Sequence, residues 1–89
     1  MTEPFLLYDE TEQTSIRYVG FSGEKARCDL AIITTAHFFG KKLVCSIHSG
    51  CSAILSLQDA GNVPYIMEVF RINDEEEADE LSEFLLSNL

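Results

Sequence analysis

The chain has 89 residues, 46% of them hydrophobic and 24% charged, with a formal net charge of -9. Such a length makes a single domain, 1–89, with one modest core, and the composition is globular rather than disordered. No apolar run nears the roughly 18 residues of a membrane span, and no basic stripe offers a site for nucleic acid or an anionic membrane.

The charge is unevenly placed. Residues 73–89 hold Asp74, Glu75, Glu76, Glu77, Asp79, Glu80 and Glu83 and no base, while the remainder has eight acids against six bases. The acidity therefore belongs to one element, read first as a solvated helix face and otherwise as a docking surface for a basic partner. The opening MTEPFLLYDETEQ is acidic where a secretion signal is basic. Three cysteines are an odd number, so one thiol stays free in a monomer. Both features point to reduced thiols and a cytoplasmic location.

Phe5–Tyr8 is a short apolar run, and DETEQT after it is a polar turn that leaves Asp9, Glu10 and Glu12 solvated. Ser15–Phe21 sets Ile16 and Tyr18 against Arg17, Val19 and Phe21, a strand pattern. SGEK turns the chain. Cys28–Thr35 alternates Cys28, Leu30, Ile32 and Thr34 against Asp29, Ala31, Ile33 and Thr35. AHFFGK is the next turn, Leu43–Ile47 the next strand, and Cys51–Leu57 the fifth. Short connections make sequence neighbours antiparallel neighbours in space.

After LQDAGN, apolar residues at 65, 66, 69 and 70 follow helical steps, with Asn62 as cap and Pro64 in the first turn. A strand is the rival for this segment. Asn73 or Asp74 caps the last helix, whose acidic first turn suits the positive end of its dipole. At 100° per residue, Ala78, Leu81, Phe84, Leu85, Leu86 and Leu89 form one arc, opposite Glu76, Asp79, Glu80 and Glu83. The expected fold is α+β: an antiparallel meander of about five strands, with a short helix (about 63–70) and a C-terminal helix (about 74–88) on one face. The strands are apolar on both faces, so the uncovered face is where a homodimer contact is expected.

CSIHSGC, 45–51, has the look of a metal or redox site. Convergence of Cys45, His48 and Cys51 on one ion, with sulfur about 2.3 Å from it, depends on the hairpin register. A two-residue Ser49–Gly50 loop pairs Cys45 with Ile54 and mixes polar with apolar on both faces. A three-residue His48–Gly50 loop pairs Cys45 with Ala53 and Leu43 with Leu55, and places Gly50 at the left-handed position. That register sends both cysteines inward and His48 to the exposed tip, so the trio is only a weak metal candidate. GFSG at 20–23 lacks nucleophile-elbow spacing, and His37 and His48 read as turn residues. No catalytic residue and no cofactor is expected.

AHFFGKK, 36–42, is the least ordinary turn. Either one phenylalanine folds back on the core, or Phe38 and Phe39 with Lys41 and Lys42 anchor a protein partner.

YDE at 8–10, RYVGF at 17–21, FFGK at 38–41 and LV…G at 43–50 resemble a small uncharacterised family of cytosolic proteins from Bacillus-type Gram-positive bacteria, nearly end to end. The resemblance implies a bacterial, cytosolic protein and no assigned activity. The family pattern does not require the cysteines or the histidine of the 45–51 hairpin. A non-catalytic protein acting through protein contacts, as a homodimer, is the leading expectation. The alternative is a ligand-binding or enzymatic domain with a pocket between sheet and helices, marked by a buried Asp29, Arg17 or His37.

Overall fold

The computed structural model describes residues 3–89. Four strands, β1 (Ser15–Ser22), β2 (Arg27–Thr34), β3 (Lys42–Ser46) and β4 (Ser52–Leu55), form one antiparallel sheet in the order β1-β2-β3-β4. Three α-helices follow: α1 (Leu57–Ala60), α2 (Val63–Phe70) and α3 (Glu75–Asn88). The architecture is α+β, with a four-stranded meander where about five strands were expected.

Phe5–Tyr8 accounts for the difference. These residues stand exposed and unpaired. Beyond them the carboxylate of Glu12 accepts from the Thr35 hydroxyl and, at 3.4 Å, from the Ala36 N–H. His37 Nε2 lies 3.1 Å from Glu12 Oε1 and 3.5 Å from Glu10 Oε2. Two acids expected to be solvated thus fasten the arm to the β2–β3 turn. The Thr35 bond, more than any other contact, holds the Glu12 carboxyl below its usual value.

Cys51–Leu57 does not run as one strand. Ser56 accepts from the Asp59 N–H at 3.1 Å, and Asp59 accepts from the Ser56 N–H at 3.0 Å. This reciprocal capping box ends β4 and starts α1. α2 begins after Asn62, whose side chain accepts from the Tyr65 N–H, and Pro64 occupies the first turn. The helix expected over 63–70 is therefore present, and the rival strand is not. Asp74 caps α3.

The core lies between the sheet and the helices. Leu30, Ile32, Val44 and Leu55 from the sheet meet Ile66, Leu81 and Leu85, all essentially without solvent contact. Helix α3 runs back along β1. Its Glu80 accepts from the Lys25 and Ala26 N–H groups at 3.0 and 2.8 Å, Phe84 stacks on Phe21 at 4.3 Å between ring centres, and the Asn88 carbonyl accepts from Arg17 at 2.9 Å. Glu80 therefore does not belong to the solvated side of the helix. Its carboxylate satisfies the β1–β2 turn, and hydrogen bonds to a charged group contribute about 1.5–3 kcal/mol. Leu86, placed by periodicity in the apolar arc, is 47% exposed. Ser82 is buried and donates to the Ala60 carbonyl at 2.5 Å, joining α3 to the end of α1.

Candidate functional site

All three helices pack on one face of the sheet, and among the described residues the other face is bare. Strand register assigns to that bare face Ile16 and Tyr18 from β1, Ala31 and Ile33 from β2, Leu43 and Cys45 from β3, and Ile54 from β4. Ile16, Tyr18 and Ile54 are exposed, and Ile33, Leu43 and Cys45 are half-buried. Only Ala31, the smallest, is screened by its taller neighbours. An apolar sheet face of this kind is open to contact along its whole length.

At one end of this face the backbone makes room for a polar pair. Gly20 lies opposite Asp29, and a Cβ on Gly20 would sit 2.8 Å from Asp29 Oδ1. Asp29 Oδ2 is 2.5 Å from Nε2 of His48, which the β3–β4 hairpin carries across to it. Around the pair runs a shallow groove of ≈ 390 Å³ lined by Tyr18, Gly20, Asp29, Ile47 and His48. Sequence spacing did not reveal this contact, because Asp29 and His48 meet only through the β2–β3 register.

The hairpin itself differs from expectation by one residue. Cys45 pairs with Ser52 and Val44 with Ala53. The Ser46 N–H donates to the Cys51 carbonyl at 2.7 Å, and the Gly50 N–H donates to the Ser46 carbonyl at 2.9 Å. The loop is therefore four residues, 47–50, rather than three, although Gly50 does take the left-handed conformation, φ 75°. The shift turns Val44 into the core and Leu43 and Cys45 out of it. Cys51 packs against the core from the helix side. The structure thus places Cys45 and Cys51 on opposite faces and His48 against Asp29, and does not bring the three together. Among the described residues, no group of three or more His, Cys, Asp or Glu side chains is placed to hold a metal ion.

The turn between β2 and β3 separates its two phenylalanines. A short 3₁₀ turn, Ala36–Phe38, leaves Phe38 half-buried beside His37, with ring centres 6.4 Å apart. Phe39 follows in the left-handed region, φ 52° and ψ 49°, and its side chain is 100% exposed. Neither ring belongs to the core. Lys41 is 3.5 Å from Asp59 at the start of α1, and Lys42 opens β3 opposite Leu55. Of the four residues expected to meet a partner, Phe39 is the one presented outright.

A second concavity, of ≈ 410 Å³, lies between the sheet and the α2–α3 link, with Arg27, Cys28, His48, Arg71, Asp74 and Glu77 at its rim. Burial first, then the charges of Glu77 and Asp29, push the Cys28 thiol above its usual value. A thiol so placed is held protonated and is a poor nucleophile at neutral pH.

A comparison with curated proteins finds no match. Residues 7–87, which include every strand and almost all of the helical layer, match the family described as SAV0927-like. The chain belongs to the SAV0927-like family.

Proposed function

We propose that this protein is non-catalytic and acts through protein contacts, as a homodimer joined by the helix-free face of its sheet. The observation that carries the reading is the bare row of Ile16, Tyr18, Ile33, Leu43 and Ile54. A monomer leaves such a row in water, whereas a second copy of the same face covers it with like surface. Charge favours the same arrangement. Seven of the fifteen acids lie in 73–89, on the helix layer behind the sheet. Two copies meeting sheet to sheet hold their acidic helices on the outside, where water screens them. Phe39, with Lys41 and Lys42 beside it, stays free at the sheet end for a further protein partner. The three cysteines are unbridged, which fits a reducing bacterial cytoplasm.

The test is the solution mass of the whole chain beside that of Tyr18→Glu. Tyr18 is 74% exposed on the edge strand β1, so the change spares the core while setting a charge on the helix-free face. Wild type is expected to sediment as a dimer and Tyr18→Glu as a folded monomer with unchanged far-UV circular dichroism. A wild-type chain that stays monomeric at its highest soluble concentration overturns the proposal.

A further inference from the structure

Phe5, Leu6, Leu7 and Tyr8 are four consecutive large apolar residues, each 77–85% exposed. Among the described residues, none of them makes a hydrogen bond or a core contact. Glu12 fastens the following segment to the β2–β3 turn, so the arm leaves from that end of the sheet. The dimensions agree with an arm that stands away from the body. The radius of gyration is 15.0 Å, where a compact chain of this length has roughly 12 Å. The accessible surface is 6506 Å², where a compact 10.0 kDa monomer has roughly 5,200 Å².

The sheet face is small for the contact proposed above. At about 4.8 Å between strands and about 3.4 Å per residue, it measures roughly 19 by 27 Å, or about 1,000 Å² for two copies. A stable interface buries about 1,200–2,000 Å². The arm supplies what is missing, because a phenylalanine or tyrosine alone buries about 150–250 Å².

We infer that the homodimer exchanges arms: Phe5–Tyr8 of each copy lies on the helix-free face of the other, in the groove between Tyr18 and Ile47. The inference rests on the sheet-face reading and adds the occupant of the groove. Its geometry is reciprocal. The arm root and the groove are at opposite ends of one sheet, since β1 starts beside the β2–β3 turn while Ile47 and His48 cap the far end. A two-fold axis in the contact plane and along the strands keeps both roots at one end and sets each partner's groove one strand length away. From Glu12 to Phe5 the extended chain spans about 23 Å, close to the length of the strands.

The experiment has two parts, both on the whole chain. In the first, Leu6 and Leu7 are replaced by serine together. The dimer dissociation constant is expected to rise at least about a hundredfold, with the fold unchanged because these side chains are exposed and lie outside the core of their own copy. In the second, Leu7→Cys and Ile47→Cys are placed on separate chains, with the native cysteines replaced by serine, mixed and oxidised. A covalent dimer forming only in the mixture supports exchange. When both cysteines are on one chain, a bridge within a single copy shows the arm folding back on its own sheet and overturns the proposal. A wild-type dimer undisturbed by the serine pair overturns arm exchange and leaves the sheet-face contact standing. A monomeric wild type overturns both.

Discussion

Phe39 holds a left-handed backbone with its ring wholly in water, an arrangement that neither packing nor hydrophobicity rewards. A side chain in that region costs about 1–2 kcal/mol, from which only glycine is largely exempt. Gly40 follows at φ 87° with open space around it, so the turn already reverses without a phenylalanine. Phe39→Gly is therefore expected to raise the stability of the isolated protein by about 1 kcal/mol, measured by urea unfolding at constant slope. The same variant is expected to lose whatever protein contact the ring makes. A drop in stability on the glycine change would show that the ring has a packing role. Arg71, at φ 56°, closes α2 in the same conformation but stands beside Asp74 and Glu77 at the rim of the second cleft. Arg27 and Arg71 balance those two acids in that cleft, and its Cys28 thiol is held protonated, chiefly by burial.

At the level of elements, the short helix α1 depends on a carboxylate. Asp59 accepts from the Ser56 N–H and has Lys41 nearby, and the first of these chiefly holds its carboxyl below the ordinary 3.8. A depressed carboxyl contributes stability that is complete above its unfolded value and is lost as pH falls through the lower folded one. Thermal melts from neutral pH to below 3.8 are expected to fall less steeply for Asp59→Asn than for wild type. Equal slopes would show that the box does not couple to folding. The serine-to-aspartate spacing of this box stands in the sequence at 56–59, yet the alternation of CSAILSL hid it beneath a longer strand. The strands β1 and β2, and the helices α2 and α3, were legible because one period dominated each. The β3–β4 register was not: matching apolar with apolar favoured a three-residue loop, yet Leu43 and Cys45 are as apolar as Val44, so either side of β3 suits the core. The closing bond from Gly50 to Ser46 decided it. The Asp29–His48 contact and the role of Glu80 are both set by distant register, which no local spacing reports. The arm at 5–8 has strand composition but no strand partner in its own copy.

For the molecule as a whole, charge opposes the association proposed for the apolar face. Each copy carries -9, so two copies repel at long range however their faces match. Salt shortens that repulsion, to a Debye length of about 10 Å at 0.1 M, and does not weaken apolar burial. Dimerisation is therefore expected to tighten as sodium chloride rises from low to moderate ionic strength, followed by sedimentation equilibrium. An association held by ion pairs between copies would weaken over the same range. The distinction matters because the candidate face, apart from Asp29 and His48, has almost nothing with which to form such pairs.

The docking of α3 along β1 has a consequence for synthesis. Every strand pairs with its neighbour in sequence, so the meander assembles from short-range contacts that form early. The layer that covers its inner side arrives last: Phe21 waits for Phe84, the 23–26 turn for Glu80, and Arg17 for Asn88. On the ribosome, a nascent meander therefore exposes two greasy sides until α3 has cleared the exit tunnel, and just one of them is closed by the chain itself. The side exposed only during translation and the side of the contact proposed above are thus opposite sides of the same sheet.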